Sequence, residues 1–188
     1  SGQLKVKGES GNDFPGWRMK GVGEIFKITR GNVFAMNLLT NNWSEETPYP
    51  VYSSQTKIKG LAGYYNKFLF ENAITWTTDG ANAGDVNYRS GKFYCTNVCG
   101  VLLNKEGFAN ICVSELINSV SKNYVSYVGN PKLMNGIMSK IKIEFPSLQE
   151  QAKIANFLSS IDTKIDVEYQ FLQELKEQKK YLLANLFI

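Results

Sequence analysis

The sequence contains no histidine, and its three cysteines, Cys95, Cys99 and Cys112, form no C-x-x-C pair. Without an imidazole neither Ser-His-Asp nor Cys-His chemistry can be built, so an enzyme here would depend on carboxylates, lysine or cysteine alone. Structural zinc sets need paired thiolates or Cys/His combinations, so no metal site is expected. Odd in number and set among apolar neighbours, the cysteines read as small buried hydrophobes in a reducing compartment. Long apolar runs are missing as well. No stretch approaches the roughly 18 to 20 residues of a membrane span, and the N-terminus carries no basic, apolar, small-residue signal pattern. The expectation is a cytoplasmic protein with no membrane segment and no cofactor.

Glycine and proline are absent from only one part of the chain. All 16 glycines and all five prolines lie at or before Pro146, and the 42 residues that follow have neither. Upstream, short apolar runs at residues 73–77, 97–103 and 139–145 alternate with Gly and Asn turn signals and read as strands. Helical spacing appears at about 110–123, through Ile111, Leu116, Ile117 and Val120, and more weakly at 132–138. The chain therefore divides into a mixed globular part, residues 1–146, and a helix, residues 147–188. Its fold class is α+β, with short strands and a few helices followed by one long C-terminal coiled-coil helix.

In the second part Ile154, Leu158, Ile161, Ile165, Leu172, Leu175, Leu182 and Leu186 recur on alternating steps of four and three, with Glu168 and Lys179 in register. That is the seam of a coiled coil, and its two polar positions trade stability for partner choice. Ser147 and Glu150 are spaced as a capping box at the start of this helix. About 40 helical residues extend roughly 60 Å, more than is needed to cover a sheet. Either a partner pairs with the rod or the rod folds back on its own domain; the polar seam positions favour the partner.

Charge divides at the same point. From Ser147 onward five lysines face six carboxylates, so residues 1–146 carry 16 basic against 11 acidic groups. A positive globular part rich in Gly, Asn, Tyr and Trp suits a phosphate-facing surface, although a modest excess is more often plain solvated surface.

The segment from Pro146 resembles the closing region of a type I restriction-modification specificity half-subunit. The matching residues are Pro146, Glu150-Gln151, Lys153-Ile154-Ala155, Leu158, Asp162, Lys179-Lys180, Leu182-Leu183 and Leu186-Phe187. Upstream the likeness to the family's target-recognition domain is looser and runs through Trp17, Gly23-Glu24-Ile25, Gly31, Tyr49-Pro50-Val51-Tyr52 and Ala73-Ile74-Thr75. The resemblance implies a non-catalytic subunit that reads one half of a bipartite double-stranded DNA target. It also implies partners: methyltransferase (modification) subunits, a restriction subunit in the full complex, and a second half-subunit or a second copy paired through the helix. The helix would then set the distance between half-sites.

Base readout uses Asn, Gln, Ser, Thr, Arg and Lys on base edges, with Lys and Arg on phosphates. Two loops supply them best. The first holds Ser53, Ser54, Gln55, Lys57 and Lys59, with Gln55 a candidate for adenine and the lysines for phosphate. The second holds Thr77, Thr78, Asp79 and Asn82, with Arg89 and Lys92 just beyond it and Gly80 and Gly84 allowing close backbone approach. Lys132 and Asn135 form a third group. For each of these the plain alternative is an ordinary polar loop. Trp17 and Trp76 sit in apolar context and are expected in the core.

Three other motifs fail on inspection. Asn130-Pro131-Lys132-Leu133 starts like the Asn-Pro-Pro-aromatic motif of adenine methyltransferases but lacks the second proline and the aromatic. Seven positions separate Gly84 from Gly91, and Phe93 stands where a phosphate loop requires Ser or Thr. Asp79 and Asp85 lack the companion Glu-x-Lys of a nuclease. A second function class remains open at this level, a coiled-coil interaction module whose head binds protein or carbohydrate.

Overall fold

A computed structural model describes residues 16–54 and 58–186 of the chain. Six strands form one sheet: β2 (Lys27–Arg30), β3 (Tyr49–Tyr52), β4 (Leu61–Tyr65), β5 (Phe70–Thr77), β6 (Val86–Cys95) and β7 (Cys99–Leu103). Their spatial order is β2-β7-β5-β6-β3-β4. Every pairing is antiparallel except β3 with β6. A register shift between Glu71 and Ala73, with Asn72 at φ 47°, bends the β5–β6 pair. Such a bulge increases local twist. Beyond the strand ends Thr96 bridges Asn32, and the Gly31 amide donates to the Cys99 carbonyl at 3.0 Å, extending the β2–β7 ladder.

A separate two-stranded ribbon pairs β1 (Arg18–Gly21) with β8 (Lys142–Phe145), and the one-turn helix α1 (Val22–Ile25) follows β1. Helix α2 (Ile111–Ser121) packs against β6 and presents Val113, Ile117 and Ser121 inward at steps of four. Asn110 starts it, its Oδ1 accepting from the Val113 amide at 3.0 Å. Side chains of this type at the N-cap satisfy an otherwise orphaned amide and contribute about 1 kcal/mol.

The main core lies between the sheet and α2 and contains Ile74, Trp76, Val86, Leu102, Val113, Ile117 and Leu133. Full burial of each such side chain contributes roughly 1.5 to 3 kcal/mol. Trp76 meets the sequence expectation: it is buried, and its indole N–H donates to the Leu133 carbonyl at 2.9 Å. Opposite it stands Gly100, where a Cβ would collide with the indole, so only glycine fits. Ala73, Phe93, Cys95, Cys99 and Val101 make a smaller core on the other side. All three cysteines are free and buried, as their apolar neighbours suggested.

Trp17 departs from expectation. It is 39% exposed, since it lies just ahead of the two-stranded edge ribbon and outside both hydrophobic cores of the described residues. The helix expected at 132–138 shortens to α3 (Asn135–Met138). The physical reason lies in Lys132 and Leu133, whose amides donate to the Ser126 and Thr78 carbonyls at 2.9 Å each and cannot enter a helix.

After Pro146 comes α4 (Leu148–Leu186), 39 residues in one unbroken helix of roughly 58 Å. Ser147 Oγ accepts from the Glu150 amide at 3.3 Å, which is one half of the capping box. Glu150 instead turns its carboxylate inward, is buried, and leaves Oε2 without a hydrogen-bond partner. Only Glu150 and Gln151 of α4 are buried, where the helix starts against α2. The fold-back alternative is thereby excluded: Ile161, Ile165, Leu172, Leu175, Leu182 and Leu186 are all exposed along the rod. Among the described residues no helix is long and apolar enough to cross a membrane.

Candidate nucleic-acid interface

Three loops converge on one surface. The first joins β3 to β4, the second joins β5 to β6, and the third follows α2 at residues 125–134. Asp79 bridges Lys132, the Gly80 amide donates to the Pro131 carbonyl at 3.0 Å, and the Leu133 amide donates to the Thr78 carbonyl at 2.9 Å. Asn82 Nδ2 reaches the Ser54 carbonyl at 3.5 Å and so links the second loop to the first. Ser54, Asp79, Asn82 and Lys132 are thus brought together, although 79 and 132 are far apart in the chain, whereas Lys92 lies at the other end of β6, opposite Glu71.

Within the first loop Gln55 and Lys57 lie outside the described residues. Ser53 is half-buried and shares a 2.9 Å hydrogen bond with Thr96, while Ser54 offers its carbonyl to Asn82. Ile58 and Lys59 both adopt left-handed backbone, with φ 48° and 49°. For a β-branched residue such as Ile58 that conformation is a true outlier. The Lys59 carbonyl accepts from Arg89 Nη2, and its exposed ammonium stands 3.9 Å from Asp162 on α4. An ion pair this exposed contributes little stability and leaves the lysine available to another anion.

In the second loop Thr77 and Thr78 are buried and act as fasteners. Thr78 Oγ1 lies 2.6 Å from Asp79 Oδ2 and 3.0 Å from the Val98 carbonyl, and it accepts from Arg30 Nη2 at 3.4 Å. Asp79 and Asn82 are half-exposed at the tip. Gly80, at φ 96°, has open space where a Cβ would stand and so fits the close-approach role. Gly84 serves packing instead, since a Cβ there would press on Val125.

Arg89 points inward and is 8% exposed. Its guanidinium covers the Tyr52 ring at 3.7 Å, with Nε donating to Thr75 Oγ1 at 3.0 Å. Burial pulls its pKa below the usual arginine value, opposed chiefly by neighbouring Tyr52 and Cys99. Arg89 therefore holds the 58–60 corner in place and is not offered to DNA. Lys92 is exposed and rests over Phe68 at 4.7 Å. Lys132 is exposed beside the second loop, while Asn135 is half-buried at the start of α3, with its Oδ1 buried and without a partner.

Sequence reasoning missed the tip between Ser126 and Lys132. These two residues exchange paired backbone hydrogen bonds of 2.9 Å, closing a tight hairpin. At its tip Tyr127 is 68% and Val128 91% exposed, with Gly129 at φ 75° allowing the turn. A signal was available: residues 116–143 hold four lysines, Lys122, Lys132, Lys140 and Lys142, and no carboxylate. Aromatic residues interleaved with an uncompensated basic run are a nucleic-acid pattern.

Two clefts flank this face. One, of about 330 Å³, is lined by Lys59, Gly60, Thr77, Asp85, Asn87 and Asn118. The other, of about 380 Å³, runs between β6, α2 and the first turns of α4. Among the described residues no group of His, Cys, Asp or Glu could hold a metal ion.

A six-stranded sheet with polar loops gathered on one face is thus joined to a long helix exposed along most of its length. Residues 15–177 match the type I restriction modification DNA specificity domain, and the chain belongs to that family. It is 37% identical over 142 residues to the N-terminal chain of a type I specificity subunit of Mycoplasma pneumoniae, a match covering 74% of each. Another specificity subunit of that organism is 35% identical over 166 residues, 86% of this chain and 53% of the relative. The fold matches the S subunit of a type I restriction-modification system from M. genitalium at a TM-score of 0.72 and 18% identity, covering 98% of this chain and 49% of that one. A subunit from Thermoanaerobacter tengcongensis superposes at 0.55 and 15% identity, over 92% of this chain and 45% of that one. The chain spans about half the length of most of these relatives. Specificity subunits are the non-catalytic components of type I systems, and family membership supersedes the reading of a protein- or carbohydrate-binding head.

Proposed function

We propose that this chain reads one half of a bipartite duplex DNA target in the cytoplasm. Residues 1–146 would select the sequence, and residues 147–188 would measure distance and recruit partners. The observation that carries this reading is the convergence of three loops, distant in sequence, on one face bearing Lys59, Asn82, Lys132 and the 126–132 hairpin. Lysines on this face contact phosphate, and amides and hydroxyls read base edges.

The exposed apolar seam of α4 favours pairing with a second half-subunit or a second copy, the usual role of such a stripe. Methyltransferase subunits dock beside the paired helices, and a restriction subunit joins the full complex. The test is binding of the correct half-site against random duplex in the presence of the modification subunit. Preference for the half-site, falling steeply with salt, supports the reading; equal affinity for both duplexes overturns it.

A further inference from the structure

Gln151 occupies an unusual position for an amide at the base of an exposed rod, because it is 0% exposed and both ends of its side chain are engaged. Its Oε1 accepts from Asn110 Nδ2 at 2.9 Å, and its Nε2 donates to the Pro146 carbonyl at 2.9 Å. Asn110 is also the N-cap of α2. One asparagine therefore fastens the start of α2 to the start of α4. At its far end α2 grips the second reading loop: Ser121 Oγ donates to the Gly84 carbonyl at 2.6 Å, and Asn118 Oδ1 accepts from the Val86 amide at 3.0 Å. An unbroken mechanical line runs from spacer helix through α2 to the loop that faces DNA.

Buried polar pairs of this kind are geometrically demanding, since an amide in a dry site must keep its partners or lose the hydrogen bond outright. They are therefore suited to specifying one orientation and poorly suited to tolerating several. The eleven residues of α2 form a strut of roughly 16 Å. A rotation of about 12° at the joint would sweep its far end about 3.4 Å, one base-pair step along the duplex.

We propose that Gln151 is a positioning residue for spacing, locking the angle between reading head and spacer helix so that the two half-sites are accepted at a single separation. This deepens the DNA-reading assignment above and rests on it. Loss of the lock should broaden the accepted separation without changing the bases read, because no residue of the joint lies in the three loops.

The test is methylome sequencing of cells carrying the complete specificity protein and its modification subunits, wild type against Gln151→Leu. Asn110→Ser provides a second variant that keeps a capping oxygen for α2 but is too short to reach Gln151. Wild type is expected to methylate its motif at one spacer length. Both variants are expected to methylate the same half-sites also at spacers one base pair longer or shorter, at a tenth or more of the wild-type frequency. A merely structural role would lower methylation at the original spacing and nothing else, and that result overturns the proposal, as does unchanged spacing or complete loss in both variants. If wild type itself shows no bipartite motif, the DNA-reading assignment fails first, and the two failures are distinguishable.

Discussion

Arg89 and Tyr52 form a stacked pair on the inner side of the first loop, with the guanidinium carbon 3.7 Å from the ring centroid. The same guanidinium carries the Thr75 hydroxyl and the Lys59 carbonyl, so it braces the left-handed corner at Ile58 and Lys59. Lysine cannot reproduce a planar group that stacks and donates in two directions. Arg89→Lys is expected to cost about 1 to 3 kcal/mol of stability, read by thermal or urea denaturation, and to leave the salt slope of DNA binding unchanged. A slope lower by about one, with stability intact, would put Arg89 on a phosphate.

The hairpin closed by Ser126 and Lys132 offers a sharper division of roles. Tyr127→Ala is expected to weaken binding of the correct half-site by about tenfold and random duplex much less, since a groove contact to a base edge contributes about 1 to 3 kcal/mol of discrimination. Lys132→Ala is expected to weaken both duplexes alike and to lower the salt slope by about one unit. Titrations at three salt concentrations separate these outcomes.

Burial pushes the Cys112 thiol up to about 12, and the nearby Glu150 carboxylate adds to the rise. Reactivity belongs to the thiolate, so Cys112 stays protonated and inert at pH 8. With Cys95 and Cys99 also buried, the native protein is expected to give no reaction with a thiol reagent in the minutes during which denatured protein titrates all three. Rapid labelling of Cys112 in native protein would mean that the joint at Glu150 opens.

Replacing Ile161 and Leu172 together by Asp places two charges on the exposed seam of α4. Light scattering is expected to show wild type at twice the chain mass or in a complex with its half-subunit, and the double variant as a single chain. A variant that keeps the wild-type mass would move the pairing surface away from the seam.

Much of this arrangement was legible beforehand. The loss of Gly and Pro after Pro146 and the four-three repeat of Ile154 to Leu186 place the start of the long helix within one residue of Leu148, because nothing tertiary competes with a pattern so long. The strands expected at 73–77 and 97–103 appear as Phe70–Thr77 and Cys99–Leu103, because turn signals delimit them. Arg89 was misjudged, since a positive charge in a loop-rich region looks like surface until Tyr52, Thr75 and the Lys59 carbonyl are seen to enclose it. Trp17 was misjudged in the opposite sense, since it lies at the start of the edge ribbon and is 39% exposed. The 126–132 hairpin escaped because its pairing is two hydrogen bonds long, too short for any period. Convergence of the loops through Asp79–Lys132 and Asn82–Ser54 joins residues 53 and 28 positions apart, which no local pattern announces.

The most direct measurement of sequence selection is the methylome of cells with and without the intact system. If the chain reads a half-site, a bipartite motif methylated in the first is unmethylated in the second, and exchanging residues 1–146 for those of another specificity subunit changes one half of the motif alone. Identical methylomes, or a motif that survives the exchange unaltered, would contradict DNA reading by this domain.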